Sequence, residues 1–222
     1  MAVTDIYLTN SKTNEQANVQ VYYAQIFENT SLCPNADELI KAFKNGRNFT
    51  DTGLLQSLTG WWLVSQVLCG GGACFSVSFS SKGKPKISGL PFFSISHSGN
   101  YAFLAVAKQE VGCDIQLHQN KKIVDLKKLA QKVFSEAEIE YMQSSTDEKA
   151  AFYEIWAKKE SYAKCTGQGL ASINKKADTT MLCNNILYTP LLMPDGNKYS
   201  FAVCMAENKI NFSKEFIKNL TV

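Results

Sequence analysis

The stretch FYEIWAKKESYAKCTGQGL, residues 152–170, decides how the rest of the chain is read. At about 100° per residue, Phe152, Ile155, Trp156, Tyr162 and Ala163 form one helical stripe, and Lys159 falls inside it. Glu160 and Lys164, four residues apart, lie along its rim, while Glu154, Lys158 and Ser161 point away. A buried ammonium is costly unless an anion meets it. Two readings of Lys159 are therefore open. Either it snorkels past the apolar face with Glu160 and Lys164 as a surface pair, or its amine meets a carboxylate or phosphate inside a site.

Outward from this helix, periodicity is helical from Lys149 to Thr166 and from Asp125 to Met142, and Gly-Gln-Gly supplies the stop at 167–169. Residues 53–69 and the segment near Ala36 to Lys44 are also helical. CGGGAC (69–74) reads as a Gly-rich turn between a helix and a strand, since no second Cys or His pair gives it zinc spacing and no Gly-Lys-Ser/Thr makes it a P-loop. DIYLTN, NVQVYYAQI and CFSVSFSSKGKP have strand character. PFFSISHSGNYAFLAVAKQEVGCDIQ gives three strands in succession, and LYTPLLMP and KYSFAVCMA two more. YAFLAVA (101–107) and YSFAVCMA (199–206) echo one another. The expected architecture is α+β, with two similar halves, 1–108 and 109–222, related by a pseudo-twofold axis and a ligand cleft between them.

The 222 residues are 45% apolar and 19% charged, a globular composition. With 23 basic and 20 acidic side chains the net charge is +3, too mild to argue for nucleic acid. Seven scattered cysteines fit reduced thiols better than a disulfide framework. MAVTDIYLTN lacks the layout of a signal peptide and no apolar run reaches about 18 residues. The expected location is the cytoplasm, without membrane or nucleic-acid partners.

Two strand segments carry chemistry. In VGCDIQ (111–116) alternation puts Gly112, Asp114 and Gln116 on one face, so that two oxygen-bearing side chains stand beside a glycine that leaves room for a ligand. Hard cations such as Mg²⁺ take oxygens of this kind. The alternative is a strand with a merely wet outer face. In SISHSG (94–99) Ser96 and His97 face opposite ways and cannot form a nucleophile–base dyad. A His among hydroxyls could bind phosphate, or simply be hydrogen-bonded and half-buried.

GKP (83–85), SISHSGNYA (94–102), VGCDIQ (111–116), FSEAEIEYM (134–142) and the 152–170 stretch occur in that order. Together they resemble the consecutive motifs of the 4'-phosphopantetheinyl transferases, in particular the long-chain, pseudo-dimeric type. The resemblance implies Mg²⁺-dependent transfer of phosphopantetheine from coenzyme A to a serine of an apo acyl or peptidyl carrier protein, with release of 3',5'-ADP. It implies Asp114 and Glu160 as metal ligands, with Gln116 where many relatives place a second acid. Glu160 would take the serine proton and Lys164 stabilise the leaving phosphate. Lys159 would pack into the wall near the pyrophosphate. His97 with Ser96 would meet the 3'-phosphate, and Lys84 with Pro85 the adenine end. The N-terminal basic grip on the 3'-phosphate is not clearly placed; Lys41, Lys44 and Arg47 are candidates by position.

A metal-dependent phosphodiesterase acting on coenzyme A-like pyrophosphates, or a non-catalytic carrier-binding module suggested by Gln116, are the alternatives. KKIVDLKKLAQK (121–132) has five lysines against one acid, which reads either as a solvated helix face or as a docking face for an acidic carrier helix.

Overall fold

An apolar strand, YAFLAVA (101–107), buried along its whole length, lies in the interior of the larger sheet. The structure, a computed structural model, describes residues 4–9, 16–44, 46–72, 76–119, 121–169, 177–181 and 185–206. Its chain divides after Gln109 into two units, within residues 1–109 and 110–210.

In the first unit, β1 (Thr4–Thr9), β2 (Gln16–Gln25), β5 (Phe92–Ser98) and β6 (Tyr101–Ala107) form an antiparallel sheet in the order β1-β2-β6-β5. A ribbon of β3 (Val77–Phe79) and β4 (Pro85–Ile87), with helices α1 (Ala36–Lys44) and α2 (Asp51–Leu68), completes it. Helix α2 starts where the Thr50 hydroxyl accepts the Gly53 amide. It buries Leu58, Trp61, Leu63 and Val64 with Phe93, Leu104 and Val106 of the sheet. The helix ends at Leu68 and turns through Gly70 and Gly71, both at positive φ, while Cys74 lies outside the described residues.

In the second unit, β7 (Val111–Leu117), β9 (Lys198–Met205) and β8 (Ile186–Leu192) pair antiparallel in the order β7-β9-β8. Between β7 and β8 run α3 (Ile123–Val133), α4 (Glu136–Ser144) and α5 (Glu148–Thr166). Helix α5 lies on all three strands and carries α3 and α4 on its other side. It is therefore buried nearly all round rather than along one stripe: Ser161, expected to point away, is fully buried, as are Ala157 and Cys165 on the sheet side. Asp147 caps its start and Gly167, at φ 66°, ends it.

One expectation changes, and the three strands expected in succession are present as β5, β6 and β7. Residues 125–142 are not one helix, because Ser135 and Glu138 form a capping box that ends α3 and starts α4. Of the three successive strands only β5 and β6 pair; β7 opens the second unit and pairs with β9. The echoing strands β6 and β9 each hold an interior position in their sheets. Among the described residues no helix is long and apolar enough to cross a membrane.

Candidate active site

Gly112 sets the geometry. A Cβ there would lie 2.1 Å from the Ser161 carbonyl oxygen and 2.3 Å from the Cys165 amide nitrogen. The backbone of α5 thus occupies the space that the sequence suggested for a ligand, and glycine is required for this contact. Because side chains alternate, Asp114 and Gln116 share the face that Gly112 turns toward α5. The merely wet face is excluded: Asp114 is 1% exposed.

Three charged groups meet there. Lys164 Nζ donates to Asp114 Oδ1 at 2.7 Å, and Gln116 Nε2 donates to Asp114 Oδ2 at 2.8 Å. Glu160, one turn before Lys164, hydrogen-bonds with Asp114 and accepts the Trp156 indole N–H on Oε1 at 2.8 Å. Burial, then the neighbouring Asp114 charge, pushes the Glu160 carboxyl up to about 7, although Lys164 opposes this. Burial pulls Lys164 down, but Asp114 and Glu160 more than reverse it and hold the ammonium above its ordinary range.

Two adjacent carboxylates supply oxygen donors that suit a hard divalent cation, while the Gln116 amide faces Asp114 through its nitrogen. The crowding that raises Glu160 is the charge such a cation would neutralise. Asp114 and Glu160 would hold it, and Gln116 could add its amide oxygen. Among the described residues no group of three or more His, Cys, Asp or Glu side chains is placed to hold a metal ion, so these residues would supply two carboxylates at most.

Lys159 has a different place. Its ammonium is 2.9 Å from Glu138 Oε2, both side chains are fully shielded, and it also donates to the Ala177 carbonyl. Glu138 further accepts from the Ser135 amide and, through Oε1, from the Thr179 amide and hydroxyl, each at 2.8 Å. The snorkelling reading is wrong, and the amine meets a carboxylate of α4. In the sequence, the N3 position of Glu138 after Ser135 signals the cap but not the second partner, and helical spacing marks Trp156 only as a stripe residue.

The remaining expected residues belong to the first unit. Lys84 and Pro85 are half-buried at a turn where the Lys84 amide donates to Ser80 Oγ, and Pro85 opens β4 opposite Phe79. On β5, Ser96 is buried and His97 exposed on the opposite face. The Arg47 guanidinium lies over the Phe49 and Phe79 rings, 5.5 and 5.4 Å from their centroids, and donates to the Phe43 carbonyl.

Residues 110–201 match the 4'-phosphopantetheinyl transferase superfamily. The chain is 33% identical to the 4'-phosphopantetheinyl transferase HetI of Nostoc sp. over 156 residues, 64% of this chain and 62% of that protein. It is 30% identical over 156 residues to a 4'-phosphopantetheinyl transferase of Bacillus subtilis, covering 60% and 64%. With the transferase Sfp of the same species it shares 37% over 101 residues, 43% of each chain. The matched stretches thus span less than two thirds of these relatives. The matched residues 110–201, which contain Asp114, Gln116, Glu160 and Lys164, are similar to the 4'-phosphopantetheinyl transferase superfamily.

Proposed function

We propose that the protein transfers 4'-phosphopantetheine from coenzyme A to a serine hydroxyl of an apo acyl or peptidyl carrier protein. The observation that carries the reading is the Lys164–Asp114–Glu160 cluster, a cation and two carboxylates assembled by one strand and one helix. The serine oxygen bonds to the β-phosphorus of coenzyme A, the bond to the bridging oxygen breaks, and 3',5'-ADP leaves. Phosphoryl transfer of this kind depends on alignment and charge neutralisation.

Glu160, a carboxylate standing beside Asp114 and Lys164, takes the serine proton. Lys164 stabilises charge growing on the departing phosphate, and Asp114 orients that ammonium. Mg²⁺ bound by Asp114 and Glu160 would neutralise the pyrophosphate and favour its in-line geometry. The proposal retains His97 with Ser96 for the 3'-phosphate and Lys84 with Pro85 for the adenine end. It also retains the long-chain type with two similar halves and a cytoplasmic location.

The test is to incubate the protein with coenzyme A, Mg²⁺ and a panel of apo carriers and to weigh the carriers. A phosphopantetheine mass gain, lost with Asp114→Ala, is expected. Steady release of 3',5'-ADP without an acceptor would replace transfer by phosphodiester hydrolysis, and carrier binding without mass gain would leave a binding module.

A further inference from the structure

Trp156 and Glu160 stand four residues apart on α5, where side chains are neighbours and lean toward the helix N-terminus. Glu160 therefore leans over Trp156, whose indole N–H meets Oε1 at 2.8 Å. The ring that supplies this donor is backed by an aromatic ladder. Trp156 stacks on Phe152 with centroids 5.8 Å apart and planes 19° from parallel, and Phe152 packs on Phe134 at 5.2 Å. Phe134 and Phe152 are both buried. An indole N–H can only donate, so it cannot replace an acceptor around a cation or exchange roles with a substrate hydroxyl.

We propose that Trp156 is a positioning residue for the transfer: its N–H holds one oxygen of Glu160 and leaves the carboxylate turned toward Asp114 and the incoming serine hydroxyl. This rests on the reading given under Proposed function. The ladder sets the indole, the indole sets the rotamer of Glu160, and Glu160 meets the reacting proton. Coenzyme A does not contact the indole in this assignment, so its affinity should be nearly independent of the hydrogen bond. The simple alternative is a half-buried indole that uses the nearest acceptor while its ring fills space.

Two variants separate the donor from the ring. Trp156→Phe keeps an aromatic ring on Phe152 and deletes the N–H. Incorporating benzothienylalanine at position 156 retains the bicyclic shape and replaces N–H by sulfur. Loss of one hydrogen bond to a carboxylate predicts a fall in kcat of about ten- to hundred-fold in both, with the KM for coenzyme A within about three-fold of wild type. Full kcat in the benzothienyl variant would overturn the proposal, because ring packing alone would then explain any loss in Trp156→Phe. Equal losses in kcat and in coenzyme A affinity would also overturn it.

A second readout needs no turnover. With three tryptophans in the chain, isotope-labelled protein gives three indole N–H resonances, and the one missing in Trp156→Phe is assigned. That resonance should shift with Glu160→Gln, and again when Mg²⁺ and coenzyme A are added to wild type. An indole signal indifferent to Glu160→Gln would refute the contact itself. If the signal responds but wild type modifies no carrier, the contact stands, while the transfer reading and the positioning role fail together.

Discussion

Glu160 and Lys159 are adjacent in sequence, yet their surroundings have opposite consequences. Glu160 is buried and crowded by Asp114, so the folded protein keeps its proton up to about 7, against 4.5 for an unperturbed glutamate. Between those values Glu160 holds more protons in the folded state than in the unfolded one, and its contribution to stability falls as pH rises, while half-buried His118, whose imidazole is pulled down by burial, acts the other way. In chelator, thermal or urea midpoints should therefore decline from pH 5 to pH 7.5, by on the order of 2–3 kcal/mol at most. Added Mg²⁺ should oppose the decline and Glu160→Gln should flatten it; the same pH dependence in wild type and Glu160→Gln would refute the crowding. Lys159, by contrast, is fully compensated by Glu138. Lys159→Met leaves a buried carboxylate without its cation and should cost about 3–5 kcal/mol in urea unfolding. Adding Glu138→Leu removes the orphaned charge and should recover part of that loss, less about 1 kcal/mol for the α4 cap and about 1–3 kcal/mol for the Thr179 amide and hydroxyl left without an acceptor. An unchanged midpoint in the single variant would show that the pair contributes nothing.

At the scale of elements, the close approach of β7 and α5 holds the site together. Gly112→Ala drives a methyl into backbone atoms of Ser161 and Cys165, which cannot rotate away. Helix α5 must then move from β7, carrying Glu160 and Lys164 from Asp114. A stability loss of about 3 kcal/mol or more is expected, together with loss of carrier modification. Gly60→Ala provides the comparison, since the added methyl meets the Ile95 side chain and alanine favours the helix. It should cost less than Gly112→Ala in the same denaturant titration. If the two were equal, the β7–α5 contact would not be the tighter constraint.

For the whole molecule, a net charge of +3 conceals a local concentration of lysine on α3. Lys122 and Lys128 are exposed beside Ile123 and Val124, while Lys127 is engaged with Glu148 at 2.7 Å. Lys127 is thus a poor choice for testing a docking face, as its replacement breaks an internal pair. If an acidic carrier helix docks here, Lys122→Glu with Lys128→Glu should raise the carrier KM several-fold at low ionic strength. The effect should shrink with salt, and the KM for coenzyme A should remain unchanged. Equal carrier KM values at low salt would assign this lysine face to solubility alone.

The sequence by itself determined the element types, and the order of its motifs, through the resemblance they carry, joined Asp114 to Glu160 and Lys164. Periods of two and 3.6 residues placed VGCDIQ on a strand and 152–166 on a helix, and alternation put Asp114 on the face of Gly112. Glu160 and Lys164 fell together because helical neighbours recur at four residues. These are local regularities, carried by each segment alone. What lay beyond them depended on which segments touch. The role of Gly112 required knowing that α5 crosses β7 there, and the partner of Lys159 required knowing that α4 folds back on α5. A helical wheel also assumes one buried face, whereas α5 is covered by a sheet on one side and by two helices on the other. Only the tertiary structure could decide these points, because the energy of a buried charge or a vanished Cβ depends on atoms distant in sequence.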